Sequence, residues 1–350
     1  MSNRTYSQDE LRAALAGFGV KDAVSVERYG SGHINDTFKA VDSKGTAYIL
    51  QRINTDIFRD PDAMMDNIKR VTEHIRSKGG RSLEVLGYSN PWRLYVFITG
   101  AKTVDLIENA SQAALAASAF AGFQDALADL PAPRLNETLP KFHDTTDRLR
   151  LLDEAAKADV AGRLAGVAEE MAFVEARRAE AGRIVAALAA GEIPERITHN
   201  DTKINNVMLD DRTGEGVAVI DLDTVMPGCA LYDFGDMVRT STAAAAEDEK
   251  DLSKVFSRKE YFEALVGGYL SRAKFLTPAE LELLAFSGRL ITLTIGIRFL
   301  TDYLAGDTYF RTAYPEHNLV RCRTQLKMVK SMEEQRAEYE RIVREAAARI

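Results

Sequence analysis

The stretch His199-Asn200-Asp201-Thr202-Lys203-Ile204-Asn205-Asn206, followed by Val217-Ala218-Val219-Ile220-Asp221-Leu222-Asp223, carries the residue types that phosphoryl transfer from ATP requires. An acid must orient the acceptor hydroxyl, and hard oxygen ligands must hold Mg²⁺ against the phosphates. The spacing H-x-D-x-x-x-x-N, then an apolar strand ending in Asp, supplies those groups in that order. Asp201 stands where it can accept or orient the hydroxyl, and Lys203 can reach the transferring phosphoryl group. Asn206 offers a metal a neutral amide oxygen; Asp221 offers an anionic one. Asp223 is a second candidate ligand, because residues two apart on a strand share a face. Alone, H-x-D-x-x-x-x-N is a weak signal, since Asp and Asn are frequent turn residues. A strand-borne Asp fifteen residues after Asn206 makes it restrictive. His199 reads as a structural hydrogen-bonding residue.

The letters D-F-G also occur, in Asp233-Phe234-Gly235-Asp236, but they follow Pro227-Gly228 with no strand before them. Asp233 and Asp236 are expected instead to brace the catalytic loop or to cap a helix beginning near Met237.

The elements that must position these residues fall into a strand-rich and a helical part. Val24 to Leu50 contains strand signals around Ser31-Gly32 and Ser43-Lys44-Gly45. Asp60-Pro61 starts a helix, with Asp as N-cap and Pro at the first helical position, and Gly79-Gly80 stops it. Trp92 to Ile98 reads as a strand, and Thr99-Gly100 as a joint between lobes. Val160, Leu164, Val167, Met171 and Val174 form one apolar stripe, which predicts a single helix that Gly191 ends. Thr277-Pro278-Ala279-Glu280 is a capping box opening the helix that carries Arg289 and Arg298. Gly216 to Ile220 is a short β-branched strand delivering Asp221 to its end.

Composition agrees. A chain of 350 residues, 46% of them hydrophobic, suits two lobes around a cleft. Its net charge of -7 argues against a nucleic-acid partner and fits a cytoplasmic enzyme. ATP is itself anionic, so Mg²⁺ and local Lys or Arg must supply the attraction. The two cysteines, Cys229 and Cys322, exclude a disulfide framework and a zinc cluster. No apolar run follows Met1 to Tyr6, so no signal peptide is expected there. Leu281 to Leu304 is apolar but interrupted by Arg289 and Arg298, which predicts a buried helix and no membrane partner. The oligomeric state is left open.

The catalytic pattern resembles the aminoglycoside phosphotransferase and choline kinase group of small-molecule kinases. Several longer strings are similar to its N-acetylhexosamine 1-kinase branch. They are Ser31 to Thr37, Tyr48 to Asn54, His199 to Asn206 and Ile220 to Gly228, with Phe299 to Asp307, Tyr309 and Pro315 to Asn318. The resemblance runs from about Tyr29 to Lys330. It implies an α+β, two-lobed protein-kinase-like fold: a small antiparallel-sheet N-lobe over residues 1–99 that binds nucleotide, and a larger, mainly helical C-lobe over 100–350 for catalysis and acceptor. It implies ATP and Mg²⁺ as cofactors and a small-molecule acceptor. That acceptor is a hexose or N-acetylhexosamine phosphorylated on its anomeric hydroxyl. The alternatives are another small alcohol, such as an amino alcohol or aminoglycoside, or a catalytically inactive kinase-like binding module.

Two departures mark the nucleotide side. Gly30-Ser31-Gly32 is either a loop covering the phosphates or a plain hairpin turn, and it is not the full G-x-G-x-x-G. Tyr48-Ile49-Leu50-Gln51-Arg52 has no lysine where the third strand of the fold carries one. Gln51 and Arg52 point to opposite faces, so one of them enters the cleft. Arg52 is favoured as the partner of the α/β-phosphates, with Asp66 or Glu73 to brace it. Adenine is expected against Val96, Phe97 or Ile98. On the acceptor side, Arg298 interrupts an apolar helix, where an unpaired cation is costly. It is expected to meet the sugar, as the resemblance implies, or to pair with Asp302 one turn on. Tyr309 and Arg311 follow in a loop, and His33 is a candidate from the other lobe. Phe142-His143-Asp144 reads as structural.

Overall fold

The computed structural model describes residues 4–30 and 34–349 and divides into two compact units. The first comprises residues 1–102, 129–140 and 208–226; the second comprises 103–128, 141–207 and 227–350.

The first unit is built on an antiparallel sheet of five strands: β1 (Ala23–Arg28), β2 (Asp36–Asp42), β3 (Ala47–Arg52), β4 (Val85–Ser89) and β5 (Trp92–Val96). Their order is β1-β2-β3-β5-β4. Alternation sorts the side chains. Phe38 and Ala40 of β2, Leu50 of β3 and Leu94 of β5 join Leu11 and Leu15 of helix α1 (Gln8–Gly17) in one buried cluster. The intervening residues occupy the other face. Helix α2 (Pro61–Ser77) begins as expected, with the Asp60 side chain capping the Ala63 N–H and Pro61 in the first turn. It packs against the segment Leu222–Thr224. Ala101–Lys102, Val207–Asp210 and Gly216–Val219 make a three-stranded sheet that ends immediately before Ile220 and Asp221.

The second unit is helical. In chain order its helices are α3 (Ala110–Ala126), α4 (Thr145–Ala158), α5 (Ala168–Glu175), α6 (Arg178–Ala181), α7 (Arg183–Ala189), α8 (Ala230–Ser241), α9 (Lys259–Leu270), α10 (Pro278–Leu304), α11 (His317–Glu334) and α12 (Arg336–Ala347). The capping box of Thr277 and Glu280 opens α10 as expected. Among the described residues α10 is the one helix long and apolar enough to cross a membrane, and 78% of that stretch is buried. It is covered by α4, α8 and α11. Close approach of α8 and α10 needs glycine on both: a Cβ on Gly235 would lie 2.6 Å from the Ser287 carbonyl oxygen, and one on Gly288 would lie 2.5 Å from Val238.

Two expectations fail here. The stripe from Val160 to Val174 is not one helix. The left-handed Asp159 ends α4, Gly162 also has positive φ, Leu164–Val167 is a 3₁₀ turn, and Val160 is 72% exposed. Apolar spacing survived across a break that left-handed residues impose. The helix expected near Met237 begins at Ala230, so Asp233 lies within its first turn.

Candidate active site

In the second unit the sequence from Thr198 to Asn206 forms a loop held by α8 and its neighbours. The buried Asp233 carboxylate accepts the His199 and Asn200 N–H groups at 2.9 and 2.7 Å, and the Gln124 amide at 2.6 Å. Asp236 accepts the Thr202 N–H at 3.0 Å, and the Thr202 hydroxyl donates to the Asp233 carbonyl. Both acids therefore brace the loop, one of the two roles read from sequence. Burial pushes the Asp233 carboxyl up to about 6, against the pull of His199 and of these N–H donors. Asn200 sits between the two anchors with φ of 68°, a left-handed conformation Asn tolerates. His199 is buried, with the edges of Phe120 and Phe123 against it.

This bracing presents Asp201. Its carboxylate meets the Lys203 ammonium at 2.8 Å. Burial alone would raise the Asp201 carboxyl, but Lys203 outweighs it and holds the group below its ordinary value. The Asn206 amide nitrogen donates to the Asp201 carbonyl at 2.8 Å and to its carboxylate at 3.3 Å. The amide oxygen of Asn206 is thereby turned away from that carboxylate.

The loop has a further brace in a residue read from sequence as structural. His143, 4% exposed, lies 2.9 Å through Nε2 from the Asn200 carbonyl, which makes Nε2 the protonated nitrogen. Burial depresses its pKa to about 4, so the ring is neutral near pH 7. Asp236, Arg298 and Arg239 all act on it electrostatically.

Arg298 shares this neighbourhood. Two arginines interrupt α10, and they differ. Arg289 meets Glu180 at 2.8 Å and Glu333 at 3.0 Å. Arg298 has no carboxylate at ion-pair distance among the described residues. Its guanidinium instead lies 5.1, 5.7 and 5.4 Å from the ring centres of Phe142, Tyr309 and Phe310. Burial lowers its pKa, partly countered by Tyr309. The ion pair with Asp302 does not form, because Asp302 is committed elsewhere: it accepts the N–H groups of Thr308, Tyr309 and Phe310 at 2.8 to 2.9 Å and the Asn318 amide at 2.8 Å. Asp302 thus shapes the loop that puts Tyr309 beside Arg298. Tyr309 is 61% exposed, and the Arg311 side chain is exposed on the same loop.

In the first unit, Asp221 follows the strand Gly216–Val219 by two residues and adopts φ 57° and ψ 57°. Asp223 is 3% exposed and both its oxygens are engaged. Arg93 of β5, 1% exposed, grips it at 2.5 and 3.0 Å, and the Asn35 amide donates to it at 2.5 Å. Arg93 also donates to the Gln51 side chain at 3.0 Å. Sequence reading missed Arg93. The available signal was an arginine inside the apolar run Trp92-Arg-Leu-Tyr-Val96, directly across the ladder from Gln51.

Gln51 therefore lies on the Asp223 side of the sheet, and Arg52 lies on the opposite side with Leu50, in register with Asp36 and Trp92. Asp66 and Glu73 are exposed on α2; Asp66 accepts the Asn136 amide, and Glu73 lies 4.0 Å from Lys69. Ile98 is half-buried just past β5. Gly30 has φ of 76°, a left-handed conformation that glycine adopts without strain. Ser31, Gly32 and His33 lie outside the described residues.

Residues 25–270 match the model of the phosphotransferase enzyme family, APH. The chain belongs to that family. Solved structures of the same fold include an ethanolamine kinase from Plasmodium vivax, 16% identical with a TM-score of 0.60 over 93% of this chain and 91% of that one. A macrolide 2'-phosphotransferase from Brachybacterium faecium is 12% identical, with a TM-score of 0.59 over 91% and 97%. A choline/ethanolamine kinase family protein from Mesorhizobium loti is 21% identical, with a TM-score of 0.56 over 96% and 98%. At such identities they establish the fold. The expected α+β protein-kinase-like architecture holds, with an antiparallel sheet in the N-terminal part and helices in the C-terminal part, and this phosphotransferase is an enzyme of that kind.

Proposed function

We propose that this phosphotransferase is an ATP- and Mg²⁺-dependent kinase of a small neutral alcohol, a hexose or N-acetylhexosamine phosphorylated on its anomeric hydroxyl. The observation that carries the acceptor class is Arg298. The half-buried Arg298 guanidinium itself repels a cationic acceptor, while the three rings that could cage a cation face Arg298 and the Asp302 carboxylate is turned to backbone N–H groups. A sugar suits it, since hydroxyl and acetamido oxygens accept from arginine and apolar ring faces pack on aromatics. The resemblance of several strings to N-acetylhexosamine 1-kinases is what supports the anomeric position.

Asp201 takes the role of orienting the acceptor hydroxyl and receiving its proton, and Lys203 that of meeting the transferring phosphoryl group. Mg²⁺ bound with ATP neutralises phosphate charge. In the first unit Asp221 offers an anionic oxygen of the kind Mg²⁺ takes, and in the second unit Asn206 offers a neutral amide oxygen. Asp223 acts as a brace through Arg93, and the unit that contains the N-terminal sheet is the nucleotide-binding one. Solved relatives named as ethanolamine and choline kinases favour a second reading, an amino-alcohol acceptor.

The test is ADP release with neutral hexoses, N-acetylhexosamines, amino alcohols and aminoglycosides, each against a no-acceptor control. Turnover confined to the amines would overturn the sugar reading.

A further inference from the structure

The nucleotide half of that reading lacks one component, a cation to meet the phosphates from the N-terminal sheet. The third strand offers only Gln51 on the relevant face, since Arg52 points away. That face also carries Thr37 and Lys39 of β2, Ile49 of β3 and Arg93 of β5, as the register of the ladders requires. Arg93 is neutralised by Asp223. Lys39 is the other cation.

Its surroundings are unusual for a strand lysine. Glu27 of β1 stands directly opposite it in the ladder, an arrangement that invites an ion pair. No such pair forms. The Lys39 ammonium lies instead 4.1 Å from the centre of the Phe97 ring and 5.9 Å from that of Tyr29. The two rings meet edge to face at 5.6 Å. Tyr29 is 45% exposed, so the cluster opens to solvent. An ammonium has three donors and no acceptor, so phosphate oxygens complement it, while a purine complements the rings beside it.

We infer that Lys39 is the cation with which this enzyme holds the nucleotide phosphates, substituting from the second strand for a lysine on the third, with Phe97 and Tyr29 as an aromatic wall for the base. The inference rests on the ATP-dependent reading. It adds a binding residue that no motif predicts.

Calorimetric titration of the full chain with MgATP and with adenosine tests it. Lys39→Met should weaken MgATP by about tenfold or more, the scale of a lost charge-assisted contact, and adenosine by less than about twofold. Lys39→Arg should restore most of the MgATP affinity, and Glu27→Gln should leave both ligands unchanged. Equal weakening of MgATP and adenosine would make Lys39 a packing residue and overturn the inference. So would an Arg52→Met effect on MgATP exceeding that of Lys39→Met. A chain that binds MgATP through Lys39 yet phosphorylates no sugar leaves this inference standing and sinks the acceptor reading alone. A wild-type chain that binds no MgATP overturns both.

Discussion

Arg93 and Asp223 form a two-pronged ion pair at 2.5 and 3.0 Å, each less than 5% exposed, between the fifth strand and the segment that follows Asp221. Each charge is tolerated in the interior because the other is present. Burial opposes the Arg93 charge, but Asp223 dominates and raises its pKa. The pair therefore fixes where the chain goes two residues past Asp221. Truncating one partner strands a buried charge. Arg93→Leu should cost about 3 to 5 kcal/mol of stability and weaken Mg²⁺-dependent ATP binding, because the Asp221 turn loses its anchor. The double variant Arg93→Leu/Asp223→Leu should recover much of the stability without recovering the activity. Denaturant unfolding of the three proteins, read beside their turnover, checks this; a double variant as unstable as the single one would refute the pairing argument.

Asp221 itself should behave differently from its neighbour. Asp221→Ala should remove Mg²⁺-dependent ATP binding and turnover together while leaving the melting temperature near wild type. Asp223→Ala should first of all lower the melting temperature. Titration with ATP, with and without Mg²⁺, separates the two. A stable Asp223→Ala protein with lost metal dependence would move the ligand role to Asp223.

In the catalytic loop, Asp201→Asn should lower turnover by about a hundredfold or more. Lys203 keeps the Asp201 carboxyl below its ordinary range, so the wild-type enzyme should show no acid limb from this group near neutral pH. Lys203→Met removes the cation that favours the charged form, so the Asp201 pKa rises and the acid limb of kcat/KM moves to higher pH. An unmoved acid limb in Lys203→Met, or near-normal turnover in a folded Asp201→Asn protein, would remove Asp201 from the chemistry.

On the acceptor side, Arg298→Leu should raise the KM for the sugar with little change in that for ATP. The lost charged hydrogen bond corresponds to about 1.5 to 3 kcal/mol, or roughly ten- to a hundredfold in kcat/KM. Asp302→Asn should also impair the sugar, through the loop that carries Tyr309, and should lower the melting temperature as Arg298→Leu does not. Equal destabilisation by both, with sugar KM unchanged, would return Arg298 to the fold.

His143 supplies a pH dependence of stability. Its pKa is depressed from the ordinary 6.5 to about 4 by burial, so the unfolded chain takes up a proton before the folded one does. The neutral ring therefore contributes fully above pH 6.5, and its contribution falls away as pH drops from 6.5 towards 4. The size is roughly 3 kcal/mol. His143→Gln should flatten that part of the stability curve, which melting at pH 7 and pH 5 measures. Identical slopes in the two proteins would show that the ring is not held neutral.

Legibility from sequence followed the range of the interactions involved. Caps are local, so Asp60-Pro61 and the Thr277–Glu280 box were readable to the residue. The contacts among Asp201, Lys203 and Asn206 lie within a few positions of one another, so the sequence alone brings these residues together, whatever their role. Arg93 was not, because its meaning depends on Asp223, far away in the chain, and on a ladder register that places Gln51 opposite it. The same register puts Gln51 on the Asp223 side of the sheet and Arg52 on the other, two faces that one strand read alone leaves equivalent. The stripe from Val160 to Val174 failed for a related reason. Apolar periodicity does not record a left-handed residue such as Asp159 that redirects the backbone.

The first unit is stitched from three stretches of chain, ending at residue 102 and returning at 129–140 and 208–226. A fragment cut at the end of the first stretch would keep Arg93 and lose Asp223, leaving an uncompensated guanidinium in its interior. It would also lose Asp221. The unit proposed to bind nucleotide is thus no cassette: it cannot be excised, transplanted or shuffled between relatives by a single crossover, and a graft must carry all three stretches.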